Sequence, residues 1–258
     1  MKVEKSSFAI SAIEPLINGG YTEKLCLAKE RRERPAAVLF DMDGLLLDTE
    51  RIARESSRVT ALALGHTISD AMALRMIGLG SDELSHVFVS ELGAHFPFAE
   101  YQLLWSAKYR EMLALGIPVR PGVTEALTTL RALGVSCAVA TSTHTPHARH
   151  KLEQAGILAQ FDVVVGRDAV VRGKPAPDIY LHAADRLGVD VTHCWAFEDS
   201  LPGLTAAAAS GARTHWVPDL AHIHAHELPE GVEQIESLHA ICEWLGMHPE
   251  PLERTGNR

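Results

Sequence analysis

The sequence predicts an α/β fold: a doubly wound parallel sheet, or Rossmann-like core, with a helical cap inserted after the first strand. Three observations lead to this prediction. Short, continuous apolar runs recur along the chain, as expected of strands that are buried on both faces of a parallel sheet. Segments with helical periodicity separate these runs, which implies βαβ units. The stretch 54–117 contains helical patterns but no strand candidate, so it is expected to form a separate helical unit.

The predicted elements follow one another in a regular order. The first strand is expected at 36–40, an apolar run between Pro35 and Asp41, and further strands are expected at 135–140, 162–165, 194–197 and 212–217. Core helices are expected at 123–133, 146–155, 177–187 and 202–210. Helical patterns in the insert occupy 52–64, 70–76, 82–92 and 99–115. Pro118 then marks the return of the chain to the core.

These elements divide the 258-residue chain into four predicted parts. Residues 1–35 form an N-terminal extension of unknown role, and residues 248–258 form a C-terminal tail. The α/β core comprises 36–53 and 118–247, and the helical cap comprises 54–117. The cap is inserted directly after the first strand, so we expect it to lie opposite the strand ends, where ligands bind in such sheets.

The composition excludes several classes of function. Hydrophobic residues make up 47% and charged residues 22%, which suits a globular protein with a substantial core. The formal net charge of −9 argues against a nucleic-acid-binding surface, which needs clustered Lys and Arg. A locally positive pocket in an acidic protein can still bind a small anion.

The four cysteines and the apolar runs bear on location. Cys26, Cys137, Cys194 and Cys242 form no CxxC pair, so neither a zinc site nor a disulfide framework is predicted. No apolar run is long enough to cross a bilayer, and the run Phe8–Ile13 is too short for a secretory signal. We therefore expect a cytoplasmic protein with no membrane partner. Its oligomeric state is left open, with a monomer favoured.

Two carboxylates follow the first predicted strand. Asp41 and Asp43 lie in the segment Phe40-Asp41-Met42-Asp43-Gly44, just past the carboxyl end of that strand. Since parallel sheets bind ligands beyond these ends, the two acids can serve one ligand. The alternative is an ordinary loop of turn-forming residues.

Two hydroxyl residues and a lysine lie in loops further along the chain. Thr141 and Ser142 end the second core strand ahead of a helix, where hydroxyls and free N–H groups make an anion site. Simple N-capping is the alternative. Lys174 lies between Gly173 and Pro175 and can act as a point charge on a phosphate. Its alternative is a solvent-exposed loop lysine.

Two adjacent acids follow the fourth predicted strand. Glu198 and Asp199 suit a hard cation, since magnesium prefers oxygen ligands, usually one or two carboxylates with water and substrate phosphate. The alternative is capping of the following helix by Asp199 or Ser200.

Taken in order, these residues resemble a known family. The segments Asp41-Met42-Asp43-Gly44, Thr141-Ser142, Lys174 and Glu198-Asp199 look like the four motifs of the haloacid dehalogenase-like hydrolase superfamily, and the resemblance spans about 36–211. The segments 43–50 and 173–178 look like the branch that contains β-phosphoglucomutase and many small-metabolite phosphatases. The resemblance implies that Asp41 is a nucleophile that forms an aspartyl-phosphate. It also implies that Asp43 first protonates the leaving group and later activates water.

The same resemblance implies a cofactor and a phosphate site. Magnesium would be held by the carboxylates of Asp41 and Asp199 and the backbone carbonyl of Asp43, with Glu198 as a ligand or beside the ligands. Thr141, the backbone of Ser142 and Lys174 would bind the phosphate oxygens. The expected function is that of a magnesium-dependent phosphatase acting on a small phosphorylated metabolite, such as a sugar phosphate or a nucleoside phosphate.

Three other functions are alternatives to this one. Dehalogenases of the superfamily lack the second Asp of the first motif, so Asp43 argues against that activity. A non-enzymatic regulatory protein on this fold is expected to have lost a motif residue, and none is lost. The third, a phosphosugar mutase, shares all four motifs and stays the main alternative.

Two cap positions argue against the mutase. The mutases that the sequence resembles carry a His four residues after the Thr that matches Thr49, and Ala53 stands there in this chain. They also carry an Arg after the Gly that matches Gly78, and the loop 78–82 contains none. Arg75 is the nearby cation that could replace the missing Arg.

Two further features of the sequence have a less specific meaning. The histidine groups 144/147/150 and 222/224/226 are not expected to bind metal. Glu50 either approaches the substrate or is a favourable acid at the start of a helix.

Overall fold

The computed structural model describes residues 32–76, 81–220 and 223–247. One parallel sheet has the strand order β3-β2-β1-β4-β5-β6, the order of a dinucleotide-type doubly wound fold. Its strands are β1 (Ala37–Phe40), β2 (Ser136–Ala140), β3 (Val163–Val165), β4 (Cys194–Glu198), β5 (Arg213–Trp216) and β6 (Glu233–Gln234). β1 lies at the centre, with Phe40 opposite Val139 of β2 and Phe197 of β4. The predicted fold class is confirmed.

Helices cover both faces of the sheet and build the insert. The insert contains α1 (Thr49–Ala63), α2 (Asp70–Arg75), α3 (Ser81–Leu92) and α4 (Phe98–Ala114). The core contains α5 (Val123–Ala132), α6 (Thr145–Gln154), α7 (Asp178–Leu187), α8 (Leu201–Ser210) and α9 (His239–Trp244). No helix within the described residues is both long and apolar enough to span a membrane.

Alternation along the strands gives the sheet two different faces. Val38 and Phe40 of β1 enter a core of large side chains, while Ala37 and Leu39 enter the opposite one. The second core is rich in alanine on both the strands and the helices, so α7 and α8 can pack closely against the sheet. Its alanines include Ala138, Ala140, Ala183, Ala184, Ala196, Ala206 and Ala207. Strands buried on both faces are predominantly apolar, which is the pattern of β1 and β3 and of most positions in β2 and β4.

The insert has a hydrophobic core of its own. Phe88 is fully buried and packs against Phe96, Phe98 and Tyr101, with ring centroids 4.3–5.4 Å apart. Aromatic side chains bury large areas each, so this small unit gains most of its packing from a few rings. The cap is therefore held together by contacts distinct from the two cores of the sheet.

The predicted elements occur with their ends shifted by three residues or fewer. The largest shift is at α1, which begins at Thr49 and so reaches back into the loop after β1. Two short elements near the C-terminus, β6 and α9, were not predicted. Cys137, Cys194 and Cys242 are buried and unpaired, whereas Cys26, residues 1–31 and the tail 248–258 lie outside the described residues.

Candidate functional site

The site lies where the loops after β1, β2 and β4 meet the cap. A cavity of about 810 Å³ opens between the sheet edge and the cap helices. Six of the seven predicted site residues line it: Asp41, Asp43, Thr141, Ser142, Lys174 and Asp199. The seventh, Glu198, is fully buried. Residues that are up to 158 positions apart in sequence thus share one cavity because parallel strands end at the same edge.

Lys174 links the nucleophile candidate to the acids after β4. Its ammonium donates to Oδ1 of Asp41 at 2.5 Å and to Oε1 of Glu198 at 2.5 Å. The lysine side chain is only 4% exposed, so the alternative of a solvent-exposed loop lysine is wrong. Burial raises the pKa of Asp41 to about 7, although the neighbouring Lys174 ammonium acts in the opposite direction. The Lys174–Pro175 peptide bond is cis.

Glu198 is saturated with protein donors. Besides Lys174, Oε1 accepts from the Tyr180 hydroxyl at 2.9 Å. Oε2 accepts from the backbone N–H groups of Asp199 and Ser200 at 3.0 and 3.1 Å, and from the Ser200 hydroxyl. A Cβ atom at Gly203 would collide with this carboxylate, so α8 needs glycine in its first turn. The geometry makes Glu198 the support that fixes Lys174.

Asp199 completes a buried acidic cluster. Carboxylate oxygens of Asp41, Glu198 and Asp199 lie within 4.8 Å of one another. Burial raises the pKa of Asp199 well above its usual value, and the charge of Asp41 raises it further. When ionised, these three carboxylates outnumber the one ammonium of Lys174, so a hard divalent cation, which stabilises the ionised forms, fits the cluster. Gly44, at φ +87°, lets Asp199 approach, since a Cβ atom there would collide with Oδ2.

Asp43 has a different environment from Asp41. Its Oδ1 accepts from the Thr49 hydroxyl at 2.8 Å and from the Lys151 ammonium at 2.8 Å. Its Oδ2 accepts from the Thr143 hydroxyl at 2.7 Å. Burial pushes the pKa of Asp43 upward, but the Lys151 charge and the three hydrogen bonds outweigh it and lower that pKa below its usual value. The carboxyl group is therefore held in its ionised form at neutral pH.

The residues after β2 form the remaining wall. Thr141 is buried, and its hydroxyl oxygen accepts from the backbone N–H of Thr143 at 3.1 Å. Ser142 is exposed to the cavity. Thr145, the first residue of α6, donates its backbone N–H to Asp168 at 2.6 Å, so N-capping there is performed from the loop after β3. At α8 the capping alternative is correct for Ser200, whose hydroxyl accepts from the Gly203 N–H at 3.3 Å.

A second acid ties the cap connections to the core. Asp219, in the loop after β5, accepts from Arg51 at 3.0 Å and pairs with Arg120 at 2.8 Å. Arg51 lies on α1, where the chain enters the cap, and Arg120 lies where it returns. Since the Asp219 side chain is only 1% exposed, both connections are anchored at one buried carboxylate.

The cap side of the cavity is largely apolar and aromatic. It includes Ala53, Ala73, Met76, Leu84, Phe88, Phe98 and Trp105. Among its polar residues, Ser57 and Tyr101 share a hydrogen bond of 2.5 Å, and Arg54 pairs with Asp70 at 2.8 Å. Arg75, by contrast, pairs with Glu91 and is exposed. The loop 77–80, which carries the Gly78 position, lies outside the described residues, as do the side chains of Ser81 and Asp82.

Sequence reasoning missed several residues that hold the site. Thr49, Thr143 and Lys151 bind Asp43, while Tyr180 and Gly203 fix Glu198. The signal for Lys151 was its position on the apolar side of α6, next to the buried Leu152. His144, just before α6, and His147 and His150 on α6 are exposed. His224 and His226 stack on each other, and His222 lies outside the described residues.

The chain is similar to a protein family and to several proteins in sequence or structure. A family model described as haloacid dehalogenase-like hydrolase matches residues 35–211. The phosphorylated carbohydrates phosphatase of Thermotoga maritima is 32% identical over 68% of this chain and 81% of its own length. The mitochondrial (DL)-glycerol-3-phosphatase 1 of Arabidopsis thaliana is 33% identical over 70% of this chain and 63% of its own length. The structure of Rhodobacter sphaeroides CbbY in complex with phosphate is 29% identical, with a TM-score of 0.63 over 80% of this chain and 96% of that one.

Proposed function

The chain belongs to the haloacid dehalogenase-like hydrolase family, and from this premise we propose that it is a magnesium-dependent phosphatase acting through an aspartyl-phosphate on Asp41. It is a phosphoric monoester hydrolase, as its phosphatase relatives indicate. The observation that carries the proposal is the paired arrangement of Asp41 and Asp43: one cavity contains a carboxylate beside a buried lysine and a second carboxylate fixed by three donors.

In the proposed first step, a carboxylate oxygen of Asp41 attacks the phosphorus of the substrate. The bond between phosphorus and the leaving oxygen breaks, and Asp43 gives that oxygen a proton. The pKa of Asp43 is low in the free protein because Lys151 faces it. Negative charge on an incoming phosphate group raises the pKa of Asp43 and so favours the protonated form that this step needs.

In the proposed second step, water replaces Asp41 on the phosphorus. The water oxygen forms a bond to phosphorus while the bond to Asp41 breaks, and that electron pair returns to the Asp41 carboxylate. Asp43 takes the proton that the water loses. The protein is thereby restored and inorganic phosphate is released.

The remaining motif residues are proposed to hold the phosphate and the metal. Thr141, the backbone of Ser142 and Lys174 bind the phosphate oxygens. The carboxylates of Asp41 and Asp199 and the Asp43 carbonyl would hold magnesium, and Glu198, whose oxygens accept from protein donors, would act through Lys174. When bound, magnesium offsets the repulsion between an anionic nucleophile and an anionic phosphate.

The cavity supports a small phosphorylated metabolite as the substrate. A volume of about 810 Å³ accommodates a sugar phosphate or a nucleoside phosphate, within the usual range for small-molecule sites. We propose that the cap, 54–117, closes over this substrate and selects the leaving group. Cytoplasmic location and a monomeric state remain predictions from the sequence.

The mutase alternative has one supporting observation. Arg54 lines the cavity from α1, so it could hold the distal phosphate of a bisphosphate intermediate. Against it, Arg54 already pairs with Asp70, Ala53 stands where related mutases carry His, and Arg75 is engaged with Glu91 on the cap surface. These contacts favour the phosphatase.

A direct experiment separates the two activities. The protein is incubated with magnesium and β-glucose 1-phosphate, with and without glucose 1,6-bisphosphate, while free phosphate and glucose 6-phosphate are both followed. A panel of sugar and nucleoside monophosphates is assayed in parallel for phosphate release. We expect phosphate to be released from members of the panel without any bisphosphate. Fast isomerisation that depends on the bisphosphate, with negligible phosphate release, would establish the mutase instead.

A further inference from the structure

We infer that Lys151, which lies outside the four motifs, is a positioning residue that holds Asp43 ready to activate water in the second step. The inference rests on the phosphatase function proposed above. It assigns a role to a buried cation that neither the phosphate site nor the metal cluster uses.

The contacts fix the Asp43 carboxylate at both oxygens. Lys151 and Thr49 donate to Oδ1, each at 2.8 Å, and Thr143 donates to Oδ2 at 2.7 Å. The Lys151 side chain is 13% exposed and that of Asp43 is 22% exposed, so solvent screens this ion pair far less than a surface pair. Of the three donors, only Lys151 brings a full positive charge.

Lys151 belongs to the sheet domain and not to the cap. Lys151 belongs to α6, and Thr143 follows β2, so two of the three donors are part of the sheet domain. Only Thr49 lies on the helix that leads into the cap. Asp43 is consequently held by core residues even when the cap moves, and water can be activated without a closed cap. This arrangement suits hydrolysis, because a mutase must keep water away from the aspartyl-phosphate.

The cap nevertheless contacts this lysine. The Tyr109 hydroxyl on α4 lies 3.4 Å from Nζ of Lys151, and Nζ lies 5.6 Å from the Tyr109 ring centroid. Tyr109 in turn stacks on Trp105, which lines the cavity. The ammonium therefore sits between the acid–base residue and an aromatic wall of the substrate chamber.

The test uses p-nitrophenyl phosphate. Its leaving group departs as p-nitrophenolate without taking up a proton, so the first step does not need Asp43 as an acid, whereas hydrolysis of the aspartyl-phosphate still needs Asp43 as a base. A protein with a misplaced Asp43 should form the aspartyl-phosphate normally and hydrolyse it slowly.

Lys151→Met removes the ammonium and nearly preserves the side-chain length. We expect a burst of p-nitrophenolate equivalent to the active sites, then a steady rate reduced about 10- to 100-fold. This loss is at or below the lower end of acid–base contributions, because the variant misplaces Asp43 without removing it. Phosphorylated protein should accumulate, as detected by intact-protein mass spectrometry, and Lys151→Arg should restore part of the rate. Arg149→Met, which removes an exposed cation from the same helix, should behave like wild type.

The outcomes distinguish this inference from the proposed function. A Lys151→Met protein that turns over at the wild-type rate, or slows without accumulating phosphorylated protein, contradicts the role of Lys151 and leaves the phosphatase proposal intact. A wild-type protein that releases no phosphate overturns both. If Lys151→Met does not fold, Lys151→Gln, which retains a polar group, is measured with the same criteria.

Discussion

Asp41 and Asp43 lie two residues apart, yet their neighbours give them opposite electrostatic environments. Burial raises the pKa of Asp41 to about 7, while the charge of Lys151 keeps that of Asp43 below its usual value. Two acids whose pKa values are pushed apart can take two chemical roles in one site. A divalent cation beside Asp41 would favour its ionised form, which is the form that attacks phosphorus.

Asp41→Asn tests the nucleophile directly. Asn is nearly isosteric but cannot form the acyl-phosphate, so we expect turnover to fall by roughly 10⁴-fold or more, as for removal of other nucleophiles. The circular dichroism spectrum should stay that of wild type. Phosphate release is measured under saturating substrate and magnesium. Substantial activity in a folded Asp41→Asn protein would remove Asp41 from this role.

The predicted site residues were those that follow strands within short motifs. Asp41 and Asp199 could be located because they follow strands whose ends converge at one edge of a parallel sheet, and Lys174 because its segment resembles a family motif. Lys151 could not be located in this way, because its role depends on the rotation of α6 about its axis. Whether a helical lysine faces solvent or an acid in the loop after β1 is decided by tertiary packing, which single-sequence periodicity indicates only weakly.

At the scale of elements, β5 carries a buried histidine that the catalytic chemistry does not use. Nε2 of His215 lies 3.0 Å from Nη1 of Arg32, and since an arginine can only donate, the imidazole accepts there and is neutral. The ring stacks on Phe197 of β4 at 4.8 Å. Burial, together with the charges of the nearby arginines, lowers the pKa of His215 to about 4, while Glu233 acts in the opposite direction.

This histidine makes a prediction about acid stability. The unfolded chain takes up the proton near pH 6.5, and the folded protein only near pH 4, so folding stability falls as the pH drops between these values. The difference of about 2.5 pKa units corresponds to about 3 kcal/mol of unfolding free energy. His215→Phe should lose less stability than wild type between pH 7 and pH 4 in urea unfolding. Parallel pH profiles for the two proteins would contradict this.

The same region explains which elements were missed. Four of the five predicted strands, β1 to β4, contribute side chains to both cores of the sheet, so their apolar runs are visible in the sequence. β6 has only two residues, Glu233 and Gln234, and lies at the sheet edge, where no apolar run is required. α9 is six residues long and is anchored by Trp244, which contacts Trp195, His215 and the Arg32 guanidinium. Its helical pattern is too short to stand out.

For the whole molecule, metal binding and folding should be coupled. The cluster of Asp41, Glu198 and Asp199 carries excess negative charge, so a divalent cation that binds only the folded state should raise the unfolding temperature. At a concentration 100 times the dissociation constant, the gain is about 2.7 kcal/mol. We expect EDTA to abolish activity and magnesium to restore it.

Asp199→Asn should remove most of this thermal shift, whereas Asp185→Asn, a change at an exposed acid on α7, should retain it. Unfolding temperatures with EDTA and with magnesium are compared for the three proteins. Full activity in metal-free wild type would contradict the magnesium assignment and favour the metal-independent chemistry of dehalogenases.

The helix α1 belongs to two parts of the molecule at once. It starts at Thr49, whose hydroxyl binds Asp43, and it ends at Ala63, two residues after Ala61, which lies in the hydrophobic core of the cap. Its residue Arg51 also pairs with Asp219 of the core. The cap of this protein therefore cannot be exchanged without changing contacts to the core. Consider a chimera in which the cap of a relative replaces this one. A junction at residue 53 or 54 would join two halves of different helices within α1. Junctions at 48 and 118 would instead transfer the position of Thr49, which binds Asp43, together with the cap. A cap that evolves toward a new substrate must therefore keep a residue at position 49 that still binds Asp43 and still begins α1.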